Sequence, residues 1–290
     1  TGTVTNTGVS TGATTISGSS ANSFNNVTIT GTLNANGNTI SIATLNNTGT
    51  LQLTGAETLT ITTKDTDSGT VTYTGSANLT NFYGYIYYNL TFNGAAGAWT
   101  IASTLTINNN FTLTAGAVTQ SANIAITGAY AQAAGTFSCS LPETNTFTVG
   151  GSFSIPTTAG AFNRFGAQVS GYYMVRNVYD LQAMWYDLAA SYKLNDNFDA
   201  VYTAPPSGGH GWNSNTGFVP IGNSSLKFTG TFEGNNKTIS NLYINSTTLV
   251  YAGLFGYVQD ATLRNVTLSN VSVATAPSTS GSAAYAGGLV

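Results

Sequence analysis

Charge is what this 290-residue chain lacks most: only 6% of its residues are Asp, Glu, Lys or Arg, against about 25% in an ordinary soluble domain. A net charge of −3 supplies neither the basic footprint of a nucleic-acid binder nor a polybasic membrane patch, so neither partner is expected. Cys139 is the only cysteine, which excludes an intrachain disulfide. His210 is the only histidine, too few for a His-built metal cage or for more than one imidazole base. The longest apolar runs, Tyr83 to Tyr88 and Leu249 to Leu254, fall far short of the roughly 20 residues of a membrane span. The chain opens Thr1-Gly2-Thr3 without an apolar leader, which reads as a mature product or a fragment.

Thr, Asn, Ser and Gly stand where charge is missing, beside a hydrophobic fraction of 41%. Thr is β-branched, while Asn and Gly tolerate left-handed corners, so this composition favours strands and turns. Period-two alternation recurs in Val27-Thr28-Ile29-Thr30, Leu59-Thr60-Ile61-Thr62, Leu105-Thr106-Ile107 and Phe111-Thr112-Leu113-Thr114. Each run reads as a short strand with one apolar face, and Gly or Asn clusters between the runs read as turns.

The phrases beginning at Asn26 and Asn89 resemble each other at an offset of 63, or three coils of roughly 20 residues. The fold class expected is therefore all-β, a right-handed parallel β-helix (β-solenoid), with a β-sandwich as the alternative for the first half. About 13 coils of roughly 22 residues at the strand separation of about 4.8 Å would span on the order of 60 Å.

Two regions are expected, Thr/Asn/Gly-rich solenoid repeats over 1–165 and a second region over 166–290, with any break near 163–172. From Phe165 aromatics and charges appear together. One short flanking helix is predicted over 178–188, with Leu181, Met184, Trp185 and Leu188 on one face and Asn177 as its cap. Further on, Ile239-x-x-Leu242-x-Ile244 returns as Leu263-x-x-Val266-x-Leu268 at an offset of 24. Tyr251-Ala252-Gly253 is echoed by Tyr285-Ala286-Gly287 at an offset of 34. The second echo breaks off at Val290, so further chain is expected beyond it.

The phrases GTFEGNNKTISNLYI (Gly230 to Ile244), YAGLFGYV (Tyr251 to Val258) and TLRNVTLSNVSV (Thr262 to Val273) resemble the GLUG repeat of large microbial surface proteins. GYYMVRNVYDLQAM (Gly171 to Met184), YKLNDNFDA (Tyr192 to Ala200), Trp212 and FVPIG (Phe218 to Gly222) resemble the lead-in to such repeats. The first 165 residues are similar in composition to the repeats of filamentous-haemagglutinin-like adhesins and giant β-solenoid surface proteins. The resemblance implies a β-helix displayed outside the cell as an adhesin, stalk or surface layer. Its repeats bring no catalytic residues to this chain. In YKLNDNFDA it implies Asp and Asn side chains that close a turn on backbone amides.

Candidate site residues are few. Asp65-Thr66-Asp67-Ser68-Gly69 starts like a calcium loop but lacks the later ligands, and reads as a solvated turn. Asp180, Asp187, Asp196 and Asp199 are the acidic concentration, open to structural, calcium-binding or catalytic readings with the structural one favoured. Cys139 follows strand alternation and reads as a buried small hydrophobe. The starts of the T-x-T runs, at Thr28, Thr58, Thr70, Thr104 and Thr112, are too unevenly spaced for one flat ice-binding array. Tyr83, Tyr85 and Tyr87 share one face, which is a glycan-binding or self-association surface if outward and an aromatic ladder if inward. Candidate N-glycan acceptors are Asn26, Asn46, Asn78, Asn89, Asn110, Asn223, Asn236, Asn245, Asn265 and Asn270.

The expectation is an extracellular, cell-surface structural or adhesive segment, a rigid spacer without catalytic residues or cofactor. Its expected partners are itself, head-to-tail or laterally as in a filament, or surface glycans of a host or neighbour. The alternative is a carbohydrate-binding or carbohydrate-active β-helix of tailspike or lyase kind, which needs two carboxylates about 5 to 10 Å apart.

Overall fold

The structure, a computed structural model, describes residues 3–6, 14–16, 22–75, 78–79, 83–205, 210–276 and 283–290. Contacts divide the chain into two compact units, Thr1–Gly150 and Gly151–Val290. The change of composition near residue 165 lies inside the second.

The first unit is a parallel β-solenoid. One of its sheets runs through Thr14–Thr15, Thr32–Asn34, Thr50–Leu53, Thr70–Tyr73, Asn89–Ile101, Phe111–Gln120 and Tyr130–Gln132, each strand parallel to the next. Shorter sheets gather the strands between, among them Asn22–Ile29 with Ile40–Asn47 and Leu59–Thr63, and Leu105–Ile107 with Ile124–Ile126 and Phe147–Val149.

Register turns the alternation of the sequence into columns. Leu33, Leu51, Val71, Leu90, Phe111 and Tyr130 lie one above another, 18 to 21 positions apart, and all are buried. Next to them Tyr73 stacks on Phe92 at 5.5 Å, Phe92 meets Phe111 at 5.6 Å, and Phe111 meets Tyr130 edge-on at 5.2 Å. Such pairs add to the burial of the rings themselves. At the corners the amide of one coil donates to the coil before it, as in Thr50 N to Gly31 O at 2.8 Å and Thr70 N to Gly49 O at 2.8 Å.

The 63-residue repeat is not a structural one. Val27 stands in the column Val4–Val27–Leu45, whereas Leu90 belongs to the sheet of Val71 and Phe111. Alternating strands that end in glycine occur on every face of a coil, so likeness of phrase does not fix phase.

The second unit is also built on parallel strands: Tyr173–Val175, Ser191–Leu194, Thr231–Ser240 and Thr262–Ser269, with Phe198–Asp199 on the far half of Thr231–Ser240. Its column Tyr173–Tyr192–Phe232–Leu263 steps by 19, 40 and 31 positions, which corrects the uniform 22-residue coil. The offset of 24 is corrected as well, because Ile239 pairs Leu268 and Tyr243 pairs Ser272, each 29 apart. Residues between Glu233 and Lys237 bulge out of the ladder and shift the phase. The offset of 34 is a true stacking: Tyr251 pairs Tyr285 and Ala252 pairs Ala286.

The expected helix is present but shorter, Val178–Gln182 continuing as a 3-10 turn Ala183–Tyr186. Asn177 Oδ1 accepts from the amides of Tyr179 and Asp180, both at 3.0 Å. Leu181, Met184 and Trp185 are buried. Leu188 lies past the end because the backbone becomes extended at Asp187.

Several corners of the first unit admit only glycine. A Cβ on Gly94 would lie 2.4 Å from Gly75 O, one on Gly116 2.4 Å from Gly94 O, and one on Gly135 2.4 Å from Gly116 O. Gly94→Ala should therefore cost about 2 kcal/mol or more by forcing two coils apart. Thr104→Ala at an exposed position should stay within about 0.5 kcal/mol. Urea denaturation of the two variants side by side checks the difference.

Candidate functional site

The first candidate, the tyrosine run, faces inward. Tyr83 and Tyr87 are buried, Tyr85 is half-buried, and the exposed member of the run is Ile86. The Tyr73 hydroxyl accepts from the Tyr83 amide at 3.0 Å and lies 3.2 Å from the Tyr87 hydroxyl. Burial pushes all three hydroxyls above the ordinary tyrosine range. Tyr83 and Tyr87 therefore point inward, with Tyr87 in register with Ile107 rather than with another ring.

Carboxylates are the second candidate, and most hold backbone in place. Glu57 accepts from Thr54 N at 2.6 Å, Gly55 N at 2.7 Å, Thr54 Oγ1 at 2.9 Å and, one coil earlier, Gly37 N at 2.9 Å. Asp65 accepts from Asn47 N at 2.6 Å, Ser68 Oγ at 2.9 Å, Ser68 N at 3.1 Å and Asp67 N at 3.2 Å. Partial burial raises the pKa of each, but the donors outweigh it and both acids lie below their ordinary values. The Asp65 turn is thus an anchor between coils rather than a merely solvated loop.

In the second unit Asp199 Oδ1 accepts from Val201 N at 2.8 Å and Asn241 Nδ2 at 2.9 Å, and Asn197 Oδ1 accepts from Thr238 N at 2.8 Å. Those are the turn-closing bonds that the YKLNDNFDA resemblance implies. Asp187 holds Ala189 N at 2.9 Å, and Asp196 takes the side-chain amide of Asn195 at 2.6 Å. Glu233 lies below its ordinary pKa, chiefly through the Asn235 amide at 2.7 Å and also through Asn265 and Arg264. Asp180, fully buried, lies 3.3 Å from Arg164 Nε and 2.8 Å from Arg176 Nε. Sequence reasoning missed this triad, although Arg176 and Asp180 at i and i+4 carried a signal for half of it. Among the described residues no three His, Cys, Asp or Glu side chains gather as a metal site.

Of the candidate N-glycan acceptors, Asn26, Asn46, Asn110, Asn223, Asn236, Asn245, Asn265 and Asn270 are exposed, and Asn89 is half-buried. The side chain of Asn78 lies outside the described residues. Asn89, Asn265 and Asn270 spend their side-chain amides on Gly69 O, Glu233 and Asn241 Oδ1. The His210 ring stacks on Tyr202 at 4.2 Å. Cys139 is buried in register with Gln120.

A further cluster, which the sequence reading did not single out, lies on the second unit. Thr229 N donates to Leu188 O at 2.8 Å, and Phe228 N to Tyr257 O at 3.0 Å, so the segments at 186–188, 227–229 and 257–259 stack as successive coils. Tyr186 meets Tyr173 at 6.4 Å, and both line a cleft of about 580 Å³ with Asp187, Leu226 and Lys227. Lys227 Nζ lies 5.6 Å from the centre of the Tyr257 ring, Tyr257 meets Tyr251 edge-on at 5.5 Å, and Tyr251 stacks on Tyr285 at 5.4 Å. These last three tyrosines line a second cleft of about 310 Å³. All five rings are half-buried or exposed, and none of their hydroxyls has a hydrogen-bond partner among the described residues. Two fully buried tyrosines differ: the Tyr130 hydroxyl donates to Gln132 Oε1 at 3.0 Å and that of Tyr192 to Asp187 O at 2.7 Å.

No protein-family model matches the chain, so the GLUG resemblance rests on its phrases alone. No solved structure matches it either. A curated relative, Halomucin of Haloquadratum walsbyi, is 38% identical over 105 residues, which make up 35% of this chain. The match spans only 1% of Halomucin's own length.

Proposed function

We propose that the chain is a segment of an extracellular surface protein in which the solenoid serves as a non-catalytic spacer and presentation surface. The observation that carries this reading is the use made of polar chemistry. Glu57, Asp65, Asp180, Asp199 and Glu233 are each committed to backbone amides, arginines or neighbouring side chains that hold the fold, while the inward positions form apolar columns. Stacked coils also suit a spacer, since each adds about 4.8 Å of length at little design cost. The stretch shared with Halomucin supports the surface setting, because a 105-residue match that makes up 1% of a protein belongs to a very long chain. Adhesion and assembly into a filament belong to this reading as roles that the presented surface would serve.

Antibodies raised against the chain should label intact, unpermeabilised cells of the organism that makes it. Labelling confined to lysed cells would sink the surface reading.

The structural role of the acids has a consequence in pH. Glu57 and Asp65 titrate lower folded than unfolded, so the stability they contribute is present above their ordinary values of 4.5 and 3.8 and is lost as pH falls through the depressed ones. The urea midpoint should be level from about pH 7 to pH 5 and fall below about pH 4. Glu57→Gln should lower it at neutral pH and flatten part of the acid slope. A midpoint unaffected by either change would show that these carboxylates do not hold the coils.

A further inference from the structure

We propose that the strip Tyr186, Tyr173, Lys227, Tyr257, Tyr251 and Tyr285 on the second unit binds a neutral oligosaccharide laid along the stacking direction. The spacer reading neither requires nor contains this site.

Ring exposure is the first argument. These tyrosines stand at the surface with their hydroxyls unengaged, so each offers an apolar edge or face beside a free donor and acceptor. A pyranose has the same division, with an apolar C–H face and a rim of hydroxyls. Spacing is the second argument. The segments that carry Tyr186, Lys227 and Tyr257 sit on consecutive coils, which rise by about 4.8 Å, a step comparable with the length of one sugar ring. The strip therefore meets linked sugars at their own repeat, as a pocket for a single small molecule would not.

Charge selects the class. Asp187 and Lys227, one of each sign, are the ionic side chains lining these two clefts. Lys227 Nζ already donates to Gln259 Oε1 at 2.7 Å and lies over the Tyr257 ring, and Asp187 Oδ1 already accepts from Ala189 N. The second oxygen of Asp187 and the five hydroxyls remain to bond sugar hydroxyls. No net field favours an anionic chain over a neutral one. The two clefts, about 580 and 310 Å³, flank Lys227 and accommodate sugars on either side of it.

The test is calorimetric titration of the whole 290-residue chain with cellohexaose, chitohexaose and maltohexaose. Saturable binding of at least one, with a Kd below about 1 mM, is expected. Tyr285→Ala, at a ring that is 58% exposed, and Tyr257→Ala should each weaken it by roughly tenfold. Tyr257→Phe should keep most of the affinity because the ring remains. Tyr202→Ala, at an exposed tyrosine outside the strip, should leave it unchanged. Should Tyr257→Ala lose its circular-dichroism signature, Tyr285→Ala still reads the site. The proposal is overturned by no saturable heat from any of the three sugars, by binding that Tyr285→Ala and Tyr257→Ala leave intact, or by binding confined to an acidic hexasaccharide such as hexagalacturonate.

Discussion

Every feature of this molecule answers to one constraint: a backbone amide must find its partner one coil away at the strand separation. In a parallel stack the partner of each residue lies some twenty positions along the chain, so neighbouring coils must keep the same height and the same phase. At Gly49, Gly69, Gly75, Gly94, Gly116 and Gly135 a methyl group would strike a carbonyl of the previous coil. Short acids also reach donors of a neighbouring coil, as Glu57 does for Gly37 and Asp65 for Asn47. Scarce charge and abundant Thr, Asn and Gly are two sides of that same demand.

The second unit shows what happens when the demand is relaxed. Between Asp199 and Thr231 no described residue is a strand of its parallel sheet; the chain makes a left-handed turn at Asn213 and Ser214, and Phe232 pairs Tyr192 from 40 positions further on. Side chains then stand in for strands. Gln182 Nε2 donates to Val219 O and Gln182 Oε1 accepts from Val219 N, both at 2.9 Å, the reciprocal pair that two facing strand residues would exchange. At the start of the short helix Asp180 accepts from the Arg176 amide as well as from two guanidinium groups. A chain with so little charge concentrates three ionic groups at the start of this helix. Such a cluster stabilises only while complete, since removing one member leaves the others buried and uncompensated.

Legibility of the sequence followed the same division. Strand periodicity, turn residues and the helix cap at Asn177 are local signals, and the parallel β-solenoid assembled from them is the fold observed. Phase is not local. The likeness of Asn26 to Asn89 misplaced the register because alike strands lie on different faces of a coil; the offset of 24 near Ile239 did so because the bulge after Glu233 and the unequal coils leave no mark in composition. The echo at Tyr251 and Tyr285 succeeded because a whole phrase, not a single alternating pair, was repeated. Inward or outward facing was likewise undecided for Tyr83 and Tyr87, since alternation names two faces without saying which is the core. Their burial follows from Tyr73, which binds both residues and is itself stacked on Phe92.

That contrast also explains why the tyrosine strip was not visible beforehand. Its members come from five separate stretches of chain, and only coil stacking brings Tyr186, Lys227 and Tyr257 into line. A buried tyrosine carries the cost of taking its hydroxyl from water unless a partner replaces the lost bonds; Tyr130 and Tyr192 have such partners. Surface tyrosines bear no such cost, and their chemistry stays free for a ligand. Tyr173 and Tyr186 on one side of Lys227, and Tyr257, Tyr251 and Tyr285 on the other, bring ring area together on this surface. A solenoid that gains length by repeating coils gains such a strip by the same repetition, so its ligand contacts accumulate in proportion to the number of coils that carry a ring.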